Sequence, residues 1–438
     1  MSDQAPVHRA AALLAAHTGG KTARTGAMLN VPVDRVVLDA PGTHAVATSW
    51  RRFSHDKEVT FGERFVCVDG GRLPRKERPR VLAFAAEHGL KLGLDPQAAG
   101  WPSTVAAEEG YVGCDDVIMA ERSDVCALGG LGALVVRGEA PGLADLLGRR
   151  TMPIPVPESK VVEVRGRLPR WTEPFDLAHF ILDEAGGRVA VTGKVLELQG
   201  DTISALHVEG RMALCRALAQ AGVSALVAPD DATDIWLRAR RAPEDGVAGA
   251  KSSGKKRRII AEAAASAEGS DKDRLVISAR KVRFVALERP FPGDRLPVGA
   301  DEGGDLKESE SAGKGEGPLE QIIVGGQLSE LRTASEAMRE RRLAPGIHLV
   351  LIPASRRVLL HALEEGLLAN FIRAGATVLA PGSEPPPAPR AERRITTMPT
   401  GGGDILVSPV LAGASAVMGR LIDPESMRRI LRRKAAIR

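Results

Sequence analysis

Soft-metal and thiol chemistry need cysteines held close together, and this 438-residue chain has four, Cys67, Cys114, Cys126 and Cys215, with no C-x-x-C pair among them. Spacing of this kind argues against a disulfide framework and a self-contained zinc site, so reduced, structural thiols are expected. The nine histidines are dispersed and form no H-x-x-E-H or H-E-x-x-H set. A lone histidine on an apolar helix, such as His179 in FDLAHFIL, is expected to pack. Oxygen donors are better placed: Asp69 closes the strand-like run ERFVCVDGG, and Asp115, Asp116 and Asp124 follow close together. A hard divalent ion such as magnesium or manganese would suit Asp69, Asp124 and neighbouring oxygens. Asp69 and Ser355 both lie at the ends of strand-like runs, where such residues also cap turns. Arg356 stands beside Ser355. Arg332 sits on a helix behind Gly325-Gly326, and its fork of donors suits an anion or a pair with Glu336 at i,i+4. The turns GGLG (129–132) and GGG (401–403) could cradle a phosphate, yet neither completes a P-loop or dinucleotide fingerprint.

Something must position these groups, and the chain alternates two kinds of segment. Apolar runs of strand length (DRVVLDA, ERFVCVDGG, DDVIMAE, SKVVEVRGRL) are interleaved with helical ones (RPRVLAFAAEHG, FDLAHFILDEAGG, GRMALCRALAQAG). Such alternation predicts βαβ units and an α/β fold. Aromatics are only 3% of the chain, so its cores must be built from Ala, Val, Leu and Ile, as in sheets covered by helices. The length calls for two or three domains. Composition divides it into an α/β region over 1–240, an insertion-rich middle over 241–318 and a second α/β region over 319–438. Within the middle, 246–272 and 299–317 turn to Gly, Ser, Ala and charge and read as loops or insertions, while DRLVISARKVRFVALERPFP keeps strand patterning.

No apolar run approaches the roughly 20 residues that a membrane helix needs. The start, MSDQAPVHRAAALLAAHTGG, lacks the layout of a signal peptide, so a cytoplasmic protein with no membrane partner is expected. The net charge of +5 comes partly from KSSGKKRR at 251–258 and RRILRRKAAIR at the C-terminus. Without interleaved aromatics these offer no stacking platform for single strands, and nucleic acid is not the expected partner.

The segment LHVEGRMALCRALAQAGVSALVAPDDAT (206–233) resembles a hallmark of the aconitase and 3-isopropylmalate dehydratase large-subunit family. So do GGQLSELRTASEAM, RRLAPGIHLVLIPASR, ANFIRAGATVLAPGS and DILVSPVLAGASAVMGRLIDP, which follow in the family's order. The resemblance covers most of the chain. It implies aconitase-like α/β/α domains around a central cleft, without the swivel domain that a separate small chain often carries. It also implies a four-iron cluster on three cysteines and reversible dehydration of a hydroxy acid.

At the positions that would carry that chemistry the chain departs from the family. The turn that bears the first cluster cysteine is shortened to Gly325-Gly326-Gln327, and Ser383 and Pro386 stand where the other two belong. No cysteine follows Cys215. The family's Gly-x-Asp-Ser-His-Thr falls on 120–125, where only Ser123 is kept. Ser103 replaces a histidine, Asp69-Gly70 keeps the acid of an Asp-His pair, a His-Asp pair falls near Leu38-Asp39, and TTMPTGGGD replaces the arginine-bearing segment. The residual family positions for substrate are thus Asp69, Ser123, Arg332, Ser355 and Arg356, with no catalytic residue, no metal ligand and no cofactor expected. The sequence reads as a non-catalytic relative that serves as a scaffold or regulatory subunit beside a small swivel-domain subunit or a related large subunit. Two alternatives stand: a hydro-lyase using a different metal or a partner-supplied site, and an RNA-binding relative.

Overall fold

The computed structural model describes residues 8–20, 23–53, 58–69, 74, 76–93, 99–240, 260, 274–288, 296, 298, 319–387, 394–398 and 404–436. They fall into two units, one of Met1–Arg167 with Ile181–Ala279 and the other of Leu168–Phe180 with Arg280–Arg438. The α/β reading holds in both.

The first unit begins with β1 (Met28–Pro32), β2 (Arg35–Asp39), β3 (Phe65–Val68), β4 (Lys91–Gly93), β5 (Val117–Ala120), β6 (Leu134–Arg137) and β7 (Thr151–Pro155). Strands β2 to β6 form a parallel sheet in the order β4-β3-β2-β5-β6, while β1 pairs antiparallel with β7. Strand periodicity explains why β2, β3 and β5 are apolar almost throughout. Val36, Leu38, Phe65, Cys67, Val117 and Met119 enter one core cluster, and the alternating Val37, Val66, Val68, Ile118 and Ala120 enter another. Successive side chains point to opposite faces, so a sheet covered on both sides needs apolar residues at every step. Helices Ala40–Phe53 and Arg78–Glu87 supply Val46, Trp50, Val81 and Phe84 to the first cluster, and Pro102–Glu108 supplies Val105 to Ala107 to the second.

The same unit carries a second parallel sheet of β8 (Glu158–Arg165), β9 (Lys194–Gln199), β10 (Ser224–Val227) and β11 (Arg274–Ser278), ordered β10-β9-β8-β11. The GGLG turn belongs to packing here and is not a phosphate cradle. It ends the 3-10 helix Ser123–Leu131, which lies against helix Val208–Gln220. A Cβ on Gly130 would come 2.4 Å from the Met212 amide nitrogen, and one on Gly129 would come 2.0 Å from the Ala225 carbonyl. Only glycine allows backbone to approach that closely. The GGG turn lies outside the described residues.

The second unit holds one sheet of β12 (Ala286–Glu288), β13 (Gln321–Gly326), β14 (His348–Pro353), β15 (Thr377–Val378), β16 (Arg394–Thr396) and β17 (Asp404–Val407). Its order is β12-β17-β16-β13-β14-β15, parallel except for β12 against β17. Strand β13 is buried along its whole length, as its QIIVGG sequence requires of a central parallel strand. Helices Leu328–Met338 and Pro409–Met418 pack closely because Gly413 lies against the Ala334 carbonyl, 2.4 Å from where its Cβ would be. His179 is buried with its ring edge-on to Phe175 at 4.7 Å, a packed histidine as its apolar context predicts.

Of the stretch read as an insertion-rich middle, 241–318, β11 belongs to the first unit and β12 to the second. Apart from Ile260, the tracts 246–272 and 299–317 lie outside the described residues.

Candidate functional site, an arginine-bridged carboxylate cluster

Between β2 and β5 the first sheet reverses its order of growth. The chain runs outward through β2, β3 and β4 on one side and through β5 and β6 on the other. In an open parallel sheet the crevice beyond the carboxyl ends of strands at such a switch point is the favoured ligand position. The register brings the chemistry there: Val37 pairs with Ala120 and Asp39 with Val68, so Asp39, Asp69 and the segment Glu121–Asp124 leave the sheet at one edge.

Asp39 is buried and its Oδ1 accepts from the Gly42 amide at 2.8 Å, capping the start of helix Ala40–Phe53. Arg122 bridges two carboxylates through Nε, at 2.8 Å from Asp124 Oδ1 and 3.4 Å from Asp39 Oδ2. Burial alone would lower the Arg122 guanidinium, but Asp124 and Asp39 outweigh it and the net shift is upward. Glu121 is pushed up by burial and by the charge of Asp39, with Arg122 opposing. Next door, buried Asp69 is ion-paired with Arg78, the first residue of helix Arg78–Glu87. A Cβ on Gly42 would lie 2.9 Å from Glu121 Oε2, so the helix start stands directly over the acids.

This cluster suits polar recognition better than metal binding. Asp69 and Asp124 are each held by a guanidinium, and no group of three or more His, Cys, Asp or Glu side chains with metal-binding geometry occurs among the described residues. The proposed Asp69 and Asp124 metal set is therefore not assembled. Glu121, exposed at the rim of the cluster, is a carboxyl whose proton affinity partial burial and the Asp39 charge raise. All four cysteines are buried in the first unit. Burial pushes the Cys67 and Cys126 thiols up to about 12 and Cys215 higher still, which keeps them as thiols.

In the second unit the turn after β13 is closed by its own side chains. The Gln327 amide, at the start of helix Leu328–Met338, donates to Glu330 Oε2 at 2.9 Å. Thr397 Oγ1 accepts from the Gly325 amide at 2.9 Å and donates to the Gly325 carbonyl at 2.7 Å. A Cβ on Gly326 would meet the Glu330 side chain at 2.7 Å, so no cradle opens there. With Ser383 and Pro386 as the remaining positions, the donors are a hydroxyl and a ring that binds nothing, and they do not fit the thiolate set of an iron-sulfur cluster.

Of the five residual positions, Asp69 and Ser123 reach the strand-end cluster, with half-buried Ser123 opening the 3-10 helix between Arg122 and Asp124. The other three belong to the second unit. Ser355 is a helix cap whose Oγ accepts from the Val358 amide at 3.1 Å, and Arg356 is the exposed first residue of that helix. Arg332 makes a forked pair with Glu365, with Nε 2.6 Å from Oε2. The i,i+4 pairing with Glu336 is thus replaced by one across two helices. Sequence reading did not single out Arg78, Arg122 or Glu121 as site residues. Their only signal was position, at or near the ends of apolar runs, and Arg78 opens the run RPRVLAFAAEHG, which reads simply as a helix.

The family model of aconitase (aconitate hydratase) matches residues 73–386. The 3-isopropylmalate dehydratase large subunit of Moorella thermoacetica is 27% identical over 444 residues, covering 95% of this chain and 98% of that protein. Its counterpart in Campylobacter curvus is 30% identical over 370 residues, covering 78% and 80%. Large subunit 1 of Pyrococcus furiosus is 25% identical over 441 residues, covering 95% and 97%. Among solved structures, the holo form of aconitase X from Thermococcus kodakaraensis matches with a TM-score of 0.49 at 12% identity, covering 92% of this chain and 90% of that one. A family model that spans most of the chain, and curated relatives that span nearly all of it, make this protein a member of the aconitase family.

Proposed function

We propose that this aconitase-family protein is a non-catalytic relative of the dehydratase large subunits, retained as a scaffold or regulatory subunit. One observation carries the reading: the turn at Gly325–Gln327 is capped by Glu330 and buttoned by Thr397, which leaves no loop to present a cluster ligand. The relatives are named large subunits, so a small swivel-type subunit or a related large subunit is the partner this reading assigns. Four buried cysteines outside any disulfide suit a reducing cytoplasm, and among the described residues no helix is long and apolar enough to cross a membrane.

What the strand-end cluster supports is recognition of a small polar metabolite, with Arg78 and Arg122 as donors and Glu121 at the rim. A hydro-lyase working through a hard metal would need Asp69 and Asp124 released from their arginines. Anaerobic reconstitution with ferrous iron and sulfide tests the main reading: the folded protein stays colourless and iron-free. Stoichiometric iron and sulfide with visible absorbance would return it to the hydro-lyases.

A further inference from the structure

The last helix, Pro424–Ala436, carries five basic residues in PESMRRILRRKAA. Met427, Ile430 and Leu431 pack against Ala414 and Ile422, which fixes the helix and leaves Arg428 and Arg432, one turn apart, on its flank. The Arg428 guanidinium carbon stands 4.3 Å from the centre of the Trp171 ring, and Arg170 lies over the same ring at 5.3 Å. Arg339 and Arg432 act on Arg428 as further like charges, with Glu336 the carboxylate that offsets part of them.

This group of cations has enclosed donors with nothing to donate to. Arg428 Nε and Nη2 and Trp171 Nε1 are all buried without a hydrogen-bond partner, although Arg428 and Trp171 as whole residues are part-exposed. An enclosed donor without a partner forfeits its bonds to water, and a charged one forfeits most. The backbone is strained here as well. Trp171, Arg339 and Glu340 adopt φ of 70°, 51° and 57°, three of the four described non-glycine residues on the positive side. Strain and unpaired donors that converge on one spot mark a place organised for something else. Burial and the three neighbouring arginines together lower Arg428, the condition that a bound anion would reverse.

We propose that Arg170, Arg339, Arg428 and Arg432, with Trp171 as a stacking floor, form a binding site for a small phosphate-bearing ligand. Guanidinium forks match phosphate oxygens in pairs, and a ring beneath them holds their planes fixed. A small ligand fits better than a polynucleotide, because the enclosed donors lie around one indole and no run of aromatics extends the platform.

Titration of the full-length protein with inorganic pyrophosphate, at fixed ionic strength in sodium chloride, tests the site by calorimetry and tryptophan emission. Saturable single-site binding with a change in emission is expected. Arg428→Met and, independently, Arg339→Met should each weaken it at least tenfold, while Arg433→Met on the same helix changes it less than twofold. Thermal melts by circular dichroism show that each variant folds, and two arginine variants keep the test alive should one of them not. No saturable binding, or binding that both variants leave intact, would overturn the site. So would tight binding of a mixed-sequence 20-nucleotide RNA that pyrophosphate does not displace.

Discussion

The segment 206–233 and the turn at 325–327 lie in places where this chain and its family can be held side by side, and they have fared differently. In the first, the fully buried Arg211 donates from Nε to the Leu206 carbonyl at 3.0 Å and from Nη2 to the Ser204 carbonyl at 3.0 Å and Asp230 Oδ2 at 2.7 Å. Its Nη1 reaches Thr233 Oγ1 at 3.3 Å, and Asp230 in turn caps the next helix by accepting from the Thr233 amide at 3.0 Å. Arg211, Asp230 and Thr233 of that motif are all bonded into the fold. In the second, the turn is closed by a local cap, with the Gln327 amide on Glu330 and Thr397 on the Gly325 backbone. The family-like segment 206–233 is held by a side-chain network that ties two helices together, whereas the turn at 325–327 is closed by a local cap.

Removing Arg211 should therefore have the largest effect. Arg211→Met leaves the Asp230 carboxylate and two carbonyls without their donor, and a loss of about 3–5 kcal/mol in urea unfolding of the first unit is expected. An Arg211→Met protein with unaltered stability would erase the contrast. Gly130→Ala comes next, because its new methyl group meets backbone of helix Val208–Gln220. Overpacking of that kind costs about 1–3 kcal/mol, read as a lower urea midpoint with an unchanged slope.

The second unit should respond to pH through two buried acids, Glu173 and Asp176, the first of which accepts from the Val410 amide at 2.9 Å. Burial raises Glu173 to about 8 against the pull of the Thr333 hydroxyl and the Val410 amide, and it raises Asp176 to about 7. Both acids hold their protons more tightly folded than unfolded. Their contribution is thus greatest in acid and declines as pH rises from about 4 to about 8. Compared with the wild type across pH 5–9, Glu173→Gln should flatten this decline. Asp230 has the opposite sign: the Arg211 fork holds it at about 2, so its contribution is present above pH 4 and fades only in stronger acid. Smallest of all is Arg332→Ala. Its partner Glu365 is exposed, and such a surface pair is worth under about 1 kcal/mol, a shift of a few degrees at most in thermal melting.

Much of the fold was legible because burial on both faces of a parallel sheet forces continuous apolar runs. ERFVCVDGG became β3 and DDVIMAE became β5 for that reason. Position at a strand end marked Asp69 and Ser355 as well, while Ser123 was marked only by the family motif that falls on 120–125. Arg78 and Glu121 were not legible, since a charged residue next to a run says nothing of which neighbouring strand end it faces. The GGLG turn was misleading for a related reason: a glycine needed for close packing and one needed for a phosphate look alike in sequence.

By itself the sequence determined the alternation of strands and helices, the membership of a family and the absence of cysteine after Cys215, because each depends on residue type and order along the chain. Tertiary structure decided which charges meet. Arg122 reaches Asp39 across a sheet, Arg332 reaches Glu365 across two helices, and Arg428 and Arg170 meet over one indole. Such encounters depend on strand order, register and helix packing, none of which is written in the spacing of the residues that meet.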